Sequence, residues 1–158
     1  MYATAFNIGI DRTVQLVDQT GRASSFDNTG SPGSLGRLIS FESTATVDVV
    51  ENPAISDGGD NDSMTEYKDW KGTIVIDRRN ANADAFFAAL EAAYHAGNQQ
   101  LKFTIHETTV NRTGTQTSTS SFVYINASVW IEKTGTWALG TRPEITLMFH
   151  ATRRVQAS

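Results

Sequence analysis

The sequence predicts a mainly β fold, a sandwich or barrel of about six to eight antiparallel strands with one flanking α-helix at about 83–96. Three observations predict it. Apolar and polar residues alternate with period two through most of the 158 residues. Only one segment has helical periodicity. A single helix cannot cover both faces of a sheet, so the sheet must fold onto itself or onto another. The length suits one domain, 1–158, large enough to carry its own core.

Val14 and Leu16, with Ile10 in phase, suggest a short first strand after an N-terminal arm, 1–11. A loop punctuated by Gly21, Gly30, Pro32 and Gly33 should run from Gln19 to about Gly36. Leu38 to Val50 reads as a long half-buried strand. Phe41, Ser43, Ala45, Val47 and Val49 share one face, and Glu42, Thr44, Thr46 and Asp48 share the other.

The segment 51–69, containing ENPAISDGGDNDS, is too polar for core and too long for a tight turn, so a functional or disordered loop is expected. Met64, Tyr67 and Trp70 at its end are larger and more apolar than a solvated loop needs. Lys71–Asp77 is a second strand.

The helix follows. Asn82 or Asp84 can cap it, and Gly97 supplies a left-handed stop. Ala83, Phe86, Phe87, Leu90, Ala93 and Tyr94 form its apolar stripe. Leu101, Phe103 and Ile105 then alternate. A Thr/Ser-rich stretch, 108–121, reads as a mobile hairpin loop. Val123, Ile125, Ala127, Val129 and Ile131 should point inward without a break, leaving Phe122, Tyr124 and Trp130 opposite. Glu144–Ala151 is the last strand, with a C-terminal tail at 152–158.

Composition excludes several function classes. Seventeen acidic residues outnumber thirteen basic ones, for a net charge of −4, opposite to the basic excess of a free nucleic-acid binder. No cysteine is present, which rules out disulfides, thiolate metal sites and a Cys nucleophile and fits synthesis in a reducing cytoplasm. The opening MYATAFNIGIDRTVQ has no basic n-region or long apolar stretch, so neither a signal peptide nor a membrane anchor is expected.

No catalytic motif stands out. His95, His106 and His150 lack metal-ligand spacing. The stretch Asp57-Gly58-Gly59-Asp60-Asn61-Asp62 has oxygen ligands for calcium but not the EF-hand order, and a solvated turn is the plainer reading. Gly30, Gly33 and Gly36 lack the strand–helix context of a phosphate loop. The basic pairs Arg78-Arg79 and Arg153-Arg154 suit either an interface or solvated element ends. The expectation is a protein that is not an enzyme and has no metal or cofactor.

Tyr67, Trp70, Phe122, Tyr124, Trp130, Trp137 and Met148 exceed what the inward faces require. Aromatics and Met are enriched at interface cores, and long strands with free edges invite pairing between chains. Filling a second sheet's core is the competing explanation.

Two stretches resemble phage tail tube proteins: GTIVIDRRNANADAFFAALEAAYHAG (72–97), and SFVYINASVWIEKTGTW (121–137) followed by EITLMFHATRRV (144–155). Together they span about a third of the 158 residues, and the remaining layout agrees. The resemblance implies the fold shared by contractile-tail tubes, R-type bacteriocin tubes and the type VI secretion tube.

It further implies a structural virion protein, in which hexameric rings join their inner strands into one barrel and stack into the conduit for DNA ejection. Glu42, Thr44, Thr46 and Asp48 are then lumen-lining candidates. Met64, Tyr67, Trp70, Tyr124, Trp130, Arg153 and Arg154 are inter-subunit contact candidates, with the 51–69 loop and both termini. Implied partners are other copies of the chain, a tail sheath, baseplate and tail terminator, and genomic DNA in transit without specific binding. The implied location is the virion tail, assembled in the host cytoplasm. Size and layout favour the contractile class. A monomeric or dimeric β-sandwich module binding carbohydrate or protein is the alternative, with the aromatics as its ligand face.

Overall fold

The computed structural model describes residues 12–26, 33–53, 61–78, 81–113, 116–136, 138–141 and 143–157. Eight strands and one helix run in the order β1 (Arg12–Asp18), β2 (Ala23–Ser25), β3 (Arg37–Pro53), β4 (Asn61–Asp77), α1 (Asn82–His95), β5 (Phe103–Thr113), β6 (Gln116–Lys133), β7 (Glu144–Ala151) and β8 (Arg153–Ala157). They form one antiparallel sheet, β2-β1-β5-β6-β7-β4-β3, with β8 also beside β6; the sheet is not closed into a barrel. The expected mainly β class and the flanking helix are both present.

The sheet folds over on β6, which belongs to two halves. Residues 116–127 of β6 pair with β5, and 128–133 pair with β7. The hinge is Asn126, a non-glycine residue at φ 57, a conformation Asn tolerates better than most side chains. Tyr124 is buried, and the next buried positions are Ala127 and Val129, so a step of three interrupts the period of two. The uninterrupted alternation expected from Val123 to Ile131 is therefore corrected. Ile125 turns outward, and Tyr124 turns inward.

Both halves contribute to a single core. Val14, Leu16, Phe103, Ile105 and Tyr124 meet Phe41, Ile74, Ile76, Leu147 and Phe149. Phe149 stacks on Phe41 with centroids 5.6 Å apart and meets Tyr124 edge-on at 5.4 Å. Burial of each such side chain contributes about 1.5–3 kcal/mol.

Helix α1 closes one flank. Ala83 and Phe87 are buried, and Phe86 and Leu90 pack against the core. Tyr94, expected at the end of the stripe, is exposed instead. Neither expected cap is used: Ala81 holds the N-cap position without a side-chain bond. The Asn82 amide donates to the Ser34 carbonyl, and Asp84 pairs with Arg78. The C-terminal stop is as expected. Gly97, at φ 82, donates to the Tyr94 carbonyl and Asn98 to that of Ala93, a Schellman closure.

Three segments expected as two loops and a C-terminal tail are largely strands. Most of 51–69 is the paired part of the β3–β4 hairpin, from Val47↔Tyr67 to Pro53↔Asn61. The Thr/Ser-rich 108–121 stretch extends the β5–β6 hairpin out to Thr113↔Gln116. The C-terminal tail adds β8 alongside Ser121–Ile125 of β6. In each case backbone pairing satisfies a polar ribbon that side-chain pattern alone does not mark. The N-terminal arm 1–11, Asp57–Asp60, Arg79 and Trp137 fall outside the described residues.

Candidate assembly surfaces

The polar face of the β3-β4-β7-β6 half is built by register. Thr44 lies beside Lys71, Lys71 beside His150 and His150 beside Ser128. One step along, Glu42, Thr73, Met148 and Trp130 form a second row. Glu42, Thr44 and Asp48 are exposed, and Thr46 is half-buried. The four lumen-lining candidates thus share one face of one strand.

This face carries its own polar contacts. His150 Nε2 lies 2.8 Å from Asp69 Oδ2. The Thr46 hydroxyl, first, and then His150 hold the Asp69 carboxyl below its ordinary range. Thr73 Oγ1 donates to Met148 Sδ at 3.4 Å. No local pattern marks the meeting of His150 and Asp69, which stand 81 positions apart.

Beyond Trp70 the β3–β4 hairpin leaves the body. Its core-side face continues with Val47, Val49 and Tyr67, which no opposing layer covers among the described residues, and Tyr67 is 75% exposed. Val50 and Met64 are exposed on its other face. Among the described residues, no strand pairs with the outer edge of β3 or with the β4 edge beyond Trp70. The result is a projecting two-stranded arm with free edges and apolar residues on both faces.

At the opposite side of the same half, β6 offers a second free edge. Its pairing with β5 ends at Ala127, so among the described residues 128–133 pairs only with β7. A cleft of about 660 Å³ flanks this edge, between α1 and β6, lined by Phe87, Leu90, Tyr94, Leu101, Trp130 and Ile131. Trp130 is 44% exposed.

The contact candidates divide accordingly. Met64, Tyr67 and Trp130 are open to a partner, and Arg153 is exposed on β8. One expectation is corrected, and Trp70 is half-buried. Tyr124 is 0% exposed because the Asn126 bulge swings it into the core. Trp70 packs against that core, edge-on to Tyr124 at 6.0 Å, because β4 keeps its alternation there with Gly72, Ile74 and Ile76. Arg154 is half-buried with its guanidinium 3.5 Å over the Phe122 ring, a cation–π contact within the chain. Pattern reading missed the exposed Ile125 and the apolar continuation onto the arm, since both depend on where the core stops. No cluster of His, Cys, Asp or Glu able to hold a metal occurs among the described residues.

No protein-family model and no curated protein matches the chain by sequence. Solved structures do match it. A chain in the anti-feeding prophage cap, a tube terminating cap, aligns over 100% of this chain and 95% of its own at 15% identity and TM-score 0.63. A chain in the sheath/tube terminator of the extracellular contractile injection system PVC aligns over 99% and 100%, at 14% identity and TM-score 0.64.

The fold is that of contractile injection system components. A further match, in the extended PVC sheath–tube complex, covers 97% of this chain and 93% of the other at 13% identity and TM-score 0.61. The matched chains come from a tube-terminating cap, a sheath/tube terminator and a sheath–tube complex. At such identities the likeness concerns architecture, and the surfaces must be argued from this chain's own residues.

Proposed function

We propose that the chain is a structural subunit that joins copies of itself, head to tail, into hexameric rings stacked as the tube of a contractile injection apparatus. The observation that carries this is the pair of free edges on one four-stranded half. β3, β4, β7 and β6 alternate in direction, so the outer edge of β3 can pair with residues 128–133 of a neighbour's β6 and keep the antiparallel order. Such a contact is heterologous, and repeated rotation closes it into a ring.

Six copies would join twenty-four strands. At about 4.8 Å between strands, that gives a circumference of about 115 Å and a backbone diameter near 37 Å before strand tilt. Sixfold symmetry was applied to the anti-feeding prophage baseplate, in which a chain matches this one at TM-score 0.62 and 10% identity.

In this reading the rows through Glu42 and Thr44 line the lumen. Those rows set the Glu42 carboxylate against the Lys71 ammonium, with His150 and neutral groups beside them, so the wall has no basic excess to trap a polyanion such as DNA in transit. Sheath, baseplate and terminator proteins would be the partners, and the virion tail the location. The cleft beside Trp130 favours a second reading, a binding module that takes a ligand between α1 and β6.

Negative-stain electron microscopy with sedimentation of the purified protein tests the two. Rings or tubes are expected. A monomer at every concentration, with no ordered particle, would sink the tube reading and leave the binding module.

A further inference from the structure

Two hairpins leave the body in the same direction, from facing halves of the sheet. On one half, Trp70 is the last residue of β4 paired with β7, opposite Ala151. Past it, the step from Thr46↔Asp69 to Val47↔Tyr67 leaves Lys68 as an extra residue, a bulge at the root of the β3–β4 arm. On the other half, the β5–β6 hairpin continues beyond Glu107↔Phe122 to Thr113↔Gln116, with β8 alongside β6. The arm and this hairpin form a jaw.

The jaw stands open although one of its inner sides is apolar. Val47, Val49 and Tyr67 face inward on the arm and are 38%, 62% and 75% exposed. Closing the arm onto the other hairpin would remove that surface from water, a favourable change.

One side chain occupies the angle of the jaw. Arg154 of β8 lies beside Tyr124 of β6 in the sheet register. Its guanidinium carbon is 3.5 Å from the centroid of the Phe122 ring, 5.0 Å from that of Trp70 at the arm's root and 5.7 Å from that of Tyr124. A flat, weakly hydrated guanidinium suits such a slot between rings. Its Nε is buried and has no acceptor among the described residues. Glu107, the carboxylate at this rim, is bonded to Arg12 and Tyr124 instead. Closure would seal the rest of the guanidinium from water, and burying a cation without an anionic partner is costly.

We infer that Arg154 is a charged spacer that holds the jaw open and keeps the inner side of the arm exposed. The device belongs to the single chain and does not depend on ring formation. The three rings place the spacer, and its charge opposes closure. A neutral, apolar group in the same slot would instead join the inner side of the arm to the core.

Hydroxyl-radical footprinting of the unassembled chain, read by mass spectrometry, tests this. Tyr67 lies on the inner side of the arm and Met64, also exposed, on its outer side, so every sample carries its own reference. Arg154→Met removes the charge and retains an apolar side chain. Oxidation of Tyr67 should then slow by about threefold, as its exposure drops from 75% to about a quarter, while Met64 keeps its rate. Arg154→Lys retains the charge and should leave both rates as in the unaltered protein. If Arg154→Met does not fold, Arg154→Gln, also neutral, carries the same expectation.

A Tyr67 rate that stays level or rises once the charge is gone would overturn the inference. Protection of Tyr67 in Arg154→Lys would overturn it too, because the charge would then be irrelevant. So would slowing of Met64 in step with Tyr67, which reports contact between chains and not closure within one.

Discussion

The Tyr124 hydroxyl donates to Glu107 Oε2 across 3.0 Å, deep between the two halves of the sheet. Glu107 also pairs with Arg12 on β1, and the same tyrosine hydroxyl shares a 2.8 Å hydrogen bond with Ser43 on β3. Four strands, β1, β5, β6 and β3, are tied by one polar chain at the edge of an otherwise apolar core. A buried carboxylate is tolerable only when its oxygens are satisfied, and here both are.

Tyr124→Phe keeps the ring packing and removes one of those partners. It should destabilise the fold by about 1–3 kcal/mol, read as a lower denaturant midpoint with unchanged slope. An unchanged midpoint would show that the network contributes nothing net.

Burial, ahead of the other influences, raises the Tyr124 pKa above its ordinary value of 10.0, with the charge of Glu107 acting in the same direction. The neutral phenol is the form the fold favours. Its contribution is complete below the unfolded value and is lost as pH climbs through the folded one. Melting temperature should therefore fall more steeply at alkaline pH in the unaltered protein than in Tyr124→Phe. Parallel curves would contradict this.

Asp69 behaves in the opposite sense. Its lowered pKa means that its contribution is present above the ordinary Asp value of 3.8 and fades as pH drops through the folded value. NMR titration should find Asp69 below 3.8, and Thr46→Val should move it upward more than His150→Gln does. Equal shifts, or none from Thr46→Val, would argue against the hydroxyl as the main cause.

Gly72 sits under the Phe149 ring, its register partner on β7. A Cβ there would run into that ring and into the Glu42 carbonyl oxygen. Gly72→Ala should cost about 1–3 kcal/mol through overpacking, measured by denaturation. A neutral result would mean that β3 and β7 can separate without loss.

Glu42→Gln should leave ring and tube formation unchanged in electron micrographs while making the inner wall less acidic. DNA retention by assembled tubes, followed at low salt, should rise or stay level. Loss of assembly would place Glu42 at a contact between subunits.

Most of the strands were legible in the sequence because alternation follows burial, and the helix because its stripe and Gly97 stop are local. The long hairpins were not. The pairing of Val50 with Met64 is a backbone relationship between distant positions, and acidic or Thr-rich composition does not announce it. The faces of β6 were misread for a related reason: one residue, Asn126, shifts the phase, and nothing in INAS distinguishes it from an ordinary outward position. Of the surface candidates, Met64, Tyr67 and Trp130 were visible as surplus apolar groups. Trp70 and Tyr124 looked the same but serve the core, because pattern alone cannot locate where the interior ends.

The half-sheet that carries both free edges has four strands, an even count. Parity then guarantees that any number of copies can be linked without ever setting two parallel neighbours side by side. The number in a closed circle is left to the angle each copy turns through, a property of sheet twist and of the shape of its flanks. A modest change at those flanks, with every strand retained, would be enough to widen or narrow the bore.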